Sequence, residues 1–144
     1  MKRRLALIVL LCMLVLLTSC TAASHGVGKA KSLYLLDAAQ SELEKNVVGQ
    51  VERLDEGAVA EYQAGLVSDG VVLAGALTGV LRVTYDREYG NLLTEMIGFE
   101  DMEDAEVVAT YFQKKYATEL AEGRARVTQN GYVLTVTCAS FVLG

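Results

Sequence analysis

Arg124-Ala125-Arg126-Val127-Thr128-Gln129-Asn130-Gly131-Tyr132-Val133-Leu134-Thr135-Val136-Thr137-Cys138-Ala139-Ser140-Phe141 is the stretch that decides the fold class. Two strand-like runs, Arg124 to Gln129 and Tyr132 to Phe141, flank Asn130-Gly131. Asn-Gly is a strong hairpin signal, because both central positions of a type I′ turn need positive φ. The alternation places Leu134, Val136 and Cys138 toward a core and Thr135 and Thr137 away from it.

Working outward, residues 101–121 carry a helical pattern. Ala105, Val108, Phe112, Tyr116 and Leu120 form an apolar stripe joined by Ala109. Asp101 is placed to cap the helix, and Glu103, Asp104 and Glu106 sit where the helix dipole favours negative charge. Lys114 and Lys115 lie toward the far end and Gly123 is a stop. Before this helix, Leu81-Arg82-Val83-Thr84-Tyr85-Asp86 alternates as a half-buried strand does. Glu88-Tyr89-Gly90-Asn91 reads as a turn, and Leu92 to Phe99 returns as a second strand. Val71 to Leu81 is almost continuously apolar and periodicity cannot assign it to helix or strand. Gly75 and Gly79 favour a strand with a kink or bulge.

From Ser32 the pattern is helical again. Leu36, Ala39, Leu43, Val47, Val51 and Leu54 recur at steps of three and four. Asp55-Glu56-Gly57 breaks this run, and a shorter helical stretch continues through Val59, Tyr62 and Leu66, giving one long helix or two short ones. The order predicts an α+β fold: an N-terminal helical segment, then a small antiparallel sheet with one packed helix over about residues 101–121, its helices on one face. Residues 32–144 make a single domain of ordinary size. Residues 20–31 are small and glycine-containing and read as a flexible tether, with the single histidine, His25, inside it.

Lys2-Arg3-Arg4 precedes a 13-residue apolar run from Leu5 to Leu17, then Thr18-Ser19 and Cys20. Charge, apolar run and small residues follow the layout of a secretory signal. Leu17-Thr18-Ser19-Cys20 resembles the lipobox of bacterial lipoproteins. The resemblance implies a signal peptide over residues 1–19, cleavage between Ser19 and Cys20, a diacylglyceryl thioether on Cys20, and often a third acyl chain on the new amine. Cys12, preceded by Val9-Leu10-Leu11, does not fit the pattern. The other reading is an uncleaved transmembrane helix, because Leu5 to Ala23 is uncharged over 19 residues, as in a pilin-like or secretion-apparatus subunit. Both readings place residues 24–144 outside the cytoplasm, in the cell membrane or envelope, since the three basic residues stay inside.

Lys2, Arg3 and Arg4 are three of the 13 basic residues; without them 10 remain against 18 acidic ones, a net charge of −8. Such a domain is a poor match for nucleic acid, whose binding needs clustered Lys and Arg. Membrane attachment would therefore come from lipid on Cys20 and not from the polypeptide.

No catalytic residue, cofactor site or metal site is expected. Walker, Rossmann, HExxH, CxxC and GxSxG patterns are absent from the sequence. His25 in the tether leaves no partner for a nucleophilic Ser or Cys. The acidic group Glu100, Asp101, Glu103, Asp104 and Glu106 reads as helix capping and solvated surface. Asp86-Arg87-Glu88-Tyr89-Gly90-Asn91 departs from a calcium loop and reads as a hairpin turn. Cys138 is expected to pack as a small hydrophobe, and Tyr85, Tyr111, Tyr116 and Tyr132 to take core or edge positions. The functional expectation is a non-enzymatic lipoprotein that binds an envelope protein or a small ligand, or plays a structural role there.

Overall fold

The computed structural model of the chain describes residues 26–46, 49–87 and 90–141. The predicted signal peptide, Ser19, Cys20, His25, Val47, Glu88 and Tyr89 lie outside the described residues; of the turn predicted over Glu88 to Asn91, Gly90 and Asn91 are instead paired with Arg87 and Asp86 in the sheet. The described residues form an α+β fold around one antiparallel sheet. Helix α1 covers residues 26–46. It is followed by β1 (Gln50–Arg53), α2 (Glu56–Ser68), β2 (Leu77–Arg87) and β3 (Gly90–Phe99). Then come α3 (Met102–Lys115), α4 (Ala117–Ala121), β4 (Ala125–Asn130) and β5 (Val133–Phe141). The sheet order is β1-β2-β3-β5-β4, so α3 and α4 carry the chain across β5 to the far edge.

The sheet is covered on both faces, which corrects the expectation of helices on one face only. On one face α2 and α3 pack Val59, Leu66, Ala105, Val108 and Phe112 over Val80, Ile97, Phe99, Leu134 and Val136. On the other, α1 packs Leu36, with Ala39 and Leu43, over Leu81, Val133, Val51 and Met96. The alternation of β5 is right, since Leu134 and Val136 are buried and Cys138 is half-buried. Its opposite side is not simply solvent: Val133 is buried there, and Thr135 and Thr137 are half-buried.

The seat of α1 is a notch in the sheet. Gly79 and Gly98 are cross-strand partners. A β-carbon at Gly98 would stand 2.3 Å from Thr78 Oγ1 and 2.9 Å from Leu36 Cδ1, and one at Gly79 would stand 3.0 Å from Leu36 Cδ1. The fully buried Leu36 therefore fills space that only paired glycines leave open. The register shifts between Leu77 and Gly79; of the two glycines at which the sequence suggests a kinked or bulged strand, Gly79 lies at this bulge and Gly75 lies before the strand begins. One turn earlier on α1, the buried Ser32 hydroxyl lies 2.7 Å from Thr78 Oγ1 and 3.1 Å from the Lys29 carbonyl. Gly28, a further turn back, lies so close to the sheet end that a β-carbon there would meet the Glu100 carbonyl oxygen at 2.0 Å. Gly28, Ser32 and Leu36 are one helical stripe.

Two further expectations are corrected. Residues 26–31 belong to α1 and not to the tether, because Gly28 is part of the packed stripe. The helical run also ends before Val51: Val51 pairs with Val83 in β1 and Leu54 follows the strand. Its step matched the helix, but pairing with the free edge of β2 satisfies the backbone and turns Val51 onto the α1 side. Asp55 does separate the two helices, as the cap of α2: its carboxylate accepts from Ala58 N at 2.8 Å. Asp101 likewise caps α3, accepting from Glu103 N at 2.9 Å. The helix predicted over 101–121 breaks at Tyr116, and the stop at Gly123 holds with φ +72°.

Residues 71–76 are irregular, and strand begins only at Leu77. The final hairpin turns one residue later than expected. Asn130 pairs with Val133, so the central residues are Gly131 and Tyr132. Only Gly131 has positive φ, at +59°, the sign pattern of a II′ turn and not of I′.

The notch gives a paired prediction. Leu36→Ala should destabilise the protein by about 2–5 kcal/mol, because the surrounding glycines cannot collapse into the cavity. Gly65→Ala in α2, where a β-carbon meets nothing within 4 Å, should stabilise it by about 1 kcal/mol. Denaturant midpoints moving in opposite directions would show this; an unchanged midpoint for Leu36→Ala would contradict it.

Candidate functional site

Between α2 and α3 the sheet is left partly open. The sequence reason is a change from apolar to charged pairs along β2 and β3: Val80 faces Ile97, but the next pair on the same side is Arg82 with Glu95. Arg82 donates from Nε and Nη2 to Glu95 Oε2, at 3.3 and 3.1 Å. Glu95 is the deeper partner, its side chain 13 % exposed against 35 % for Arg82. From α2, the Tyr62 hydroxyl donates to Glu95 Oε1 at 3.4 Å. Both oxygens of this carboxylate are thus engaged, which offsets its desolvation.

α3 supplies the opposite wall. Phe112 is buried, and its ring stacks on Tyr116 at 5.9 Å and meets Tyr111 edge-on at 5.0 Å. The Tyr111 hydroxyl donates to Asp69 Oδ2 at the end of α2. Lys115 Nζ stands 5.7 Å from the centre of the Tyr111 ring and 5.6 Å from that of Tyr116, within cation–π reach. The resulting cleft has a volume of about 380 Å³, at the small end of ligand sites. Gly65 lines it from α2. With Arg82 and Lys115 balanced by Glu95 and Asp69, the lining carries no net formal charge.

Its three phenols are all raised above the ordinary tyrosine range. Burial, and then the charge of Glu95, push the Tyr62 phenol far above its ordinary range. Tyr111 is pushed up to about 12, first by its hydrogen bond to Asp69 and then by burial. Tyr116 is raised by burial first, then by Cys138 and Glu95. Nearby on β5, the Cys138 thiol is raised by burial and by Glu119, against a lowering contribution from Arg124. These shifts are the reverse of what activates a phenol or thiol as a nucleophile. The cleft thus presents three phenols, the Arg82 guanidinium paired with Glu95, and the Lys115 ammonium beside two aromatic faces.

A larger cavity of about 510 Å³ lies between α1, α2 and the bulge, lined by Lys29, Arg53, Gln63 and Glu100 among others. Two of its polar groups serve the backbone. Gln63 Oε1 accepts from Leu77 N at 3.0 Å, and Glu100 Oε2 from Ala76 N at 3.3 Å. It also has no aromatic wall.

The acidic group before α3 is dispersed among structural tasks. Asp101 caps α3 and Glu100 holds Ala76. Asp104 is buried and accepts from Ala74 N and Gly75 N, at 2.8 Å each. It clamps the irregular 71–76 segment against the first turn of α3, a role that capping and solvation did not anticipate. Among the described residues no three His, Cys, Asp or Glu side chains gather as metal donors. Tyr111 and Tyr116 come together in the cleft, whereas Tyr85 and Tyr132 lie elsewhere. Tyr62, Arg82 and Glu95 were not singled out from the sequence. Their meeting depends on strand register and helix placement, and only the alternation of charged with apolar residues in β2 hinted at it.

Replacing Asp69 by alanine should bring the Tyr111 pKa down from about 12 toward 10.0, visible by NMR titration of the tyrosine ring carbons. The sign for stability follows. Below 10.0 the phenol is protonated whether the chain is folded or unfolded, and the contact contributes fully. As pH rises from 10.0 to about 12 the unfolded chain loses the proton first, so the contribution is lost.

Neither a protein-family model, nor a curated protein, nor a solved structure matches this chain.

Proposed function

We propose that this is a lipid-anchored, extracytoplasmic, non-enzymatic binding protein. Cys20 carries the lipid, and the Tyr62–Tyr111–Tyr116 cleft is the seat for a small ligand or for a side chain of an envelope protein. The observation that carries the anchoring is the run Leu5 to Leu17 ending in Leu17-Thr18-Ser19-Cys20. Each buried methylene contributes about 0.8 kcal/mol, so one acyl chain holds marginally and two hold stably. A diacylglyceryl group therefore suffices for a domain whose net charge of −8 gives anionic headgroups nothing to attract. The cleft supports binding because Lys115 lies over two aromatic faces beside the paired Arg82–Glu95 floor, and its raised phenols are not activated as nucleophiles.

The pilin-like or secretion-apparatus reading keeps one specific support. α1 is already helical at Gly26, three residues after the uncharged stretch Leu5 to Ala23 ends. Among the described residues no helix is long and apolar enough to cross a membrane; the stretch in question lies outside them.

Cys20→Ala should leave residues 1–19 attached and remove all acyl mass, as read by intact mass of the membrane fraction. A variant still cleaved and still held at the membrane would overturn the lipid assignment. A wild-type chain with residues 1–19 retained and no acyl mass would favour the uncleaved helix.

A further inference from the structure

We infer that one pole of the domain lies against the membrane surface: the start of α1, the Glu100–Met102 connection and the Gly131-Tyr132 turn, with the headgroup layer of a bilayer as its occupant. This rests on the anchoring proposed above, and either form of N-terminal anchor leads to the same pole.

The first argument is reach. Gly26 lies six residues beyond Cys20, and six residues of fully extended chain span at most about 20 Å. The start of α1 cannot swing out to lengthen that distance. A β-carbon at Gly28 would overlap the Glu100 carbonyl and approach Tyr132 Cε1 to 2.8 Å, and Ser32 is buried one turn later. The helix is therefore fixed to the sheet from Gly28 onward, and a lipid at Cys20 keeps this end of the domain within that reach of the bilayer.

The second argument is the chemistry of the pole. Val27 and Met102 are large apolar side chains left 46 % and 41 % exposed. Gln129 Nε2 donates to the Met102 carbonyl at 3.5 Å, so the start of α3 adjoins the hairpin end. Tyr132 presents a half-buried ring, with Lys31 Nζ 6.0 Å from its centre. Tyrosine suits a headgroup layer because one end is apolar and the other wet, and a long lysine can bury its stem while its charge stays in water. Lys29 and Lys31 are accompanied by Glu100, Asp101 and Glu103, so charge does not draw the pole to anionic lipid. Tether length sets the orientation, and Val27, Met102 and Tyr132 give the pole apolar contact once it is held there.

The orientation also serves the cleft. α3 runs away from the pole for 14 residues, about 21 Å at 1.5 Å per residue. Tyr111 and Lys115 stand toward its far end, where a cleft on the protein surface stays open to the aqueous side.

The chain contains no tryptophan, so an introduced one reports alone. Met102→Trp, Tyr132→Trp and, as the distant control, the exposed Gln113→Trp would be made in the full chain. Each would be purified from membranes and reconstituted into phosphatidylcholine vesicles with and without brominated acyl chains. Emission at positions 102 and 132 should fall by about half or more in the brominated vesicles, and emission at 113 should not change. Met102→Trp sits on an exposed helix surface and carries the test if Tyr132→Trp fails to fold. Acyl mass on Cys20, or retained residues 1–19, with no quenching at either position overturns the orientation alone. So does equal quenching at all three. A vesicle-free protein lacking both anchors overturns the anchoring reading and the orientation with it.

Discussion

The placement of Leu36 in the notch between Gly79 and Gly98 is the contact on which the rest of this molecule depends. It converts an amphipathic segment, which could have remained a tether, into the third layer of the domain. A helix can approach a sheet this closely only where side chains are missing from both strands at one register position, and the cross-strand glycine pair supplies that. Glycine weakens a strand and packs nothing of its own; the energy is recovered by the fully buried leucine above it. Ser32 and the bulged Thr78 complete the seat with a hydrogen bond, so the polar atoms that burial strands there are satisfied.

With one face closed by α1, the other is divided between core and cleft. The crossover from β3 to β4 lays α3 over the sheet, and the buried Asp104 ties the start of that helix to the segment returning from α2. The two helices are held apart at the Arg82–Glu95 pair, where a charged cross-strand pair replaces an apolar one. An ion pair at this depth contributes little net stability. Here its oxygens are shared between a guanidinium and a phenol, which fixes the floor of the cleft, and burial, followed by the Glu95 charge, raises the Tyr62 phenol.

Much of this was legible in the sequence, and the failures have physical causes. The α+β class, the alternation of β2 and β5, the Asp101 cap and the bulge at Gly79 follow from local chemistry. Local chemistry could not place Val51, whose helical step was overridden by a free strand edge. It could not show that β5 is packed on both faces, because Thr135 and Thr137 looked like a solvent side. The start of α1 is not legible locally because small residues, Gly28 among them, signal flexibility in sequence and close packing once a partner surface exists. The cleft was the least legible feature: Tyr62, Arg82, Glu95 and Tyr111 come from four elements and meet only through register. The lipidation motif is the opposite case, since Leu17-Thr18-Ser19-Cys20 is read in sequence and lies outside the described residues.

The domain's geometry relative to any N-terminal anchor turns on whether α1 is fixed to the sheet along its first half. Amide hydrogen exchange of residues 32–36 in the full-length protein measures this directly. The account predicts protection comparable to that of Val80 and Ile97 in the sheet centre, because opening here requires Leu36 to leave its notch. Exchange at the rate of an unstructured chain would show that α1 is a tether after all, and would contradict the fixed short link between domain and membrane.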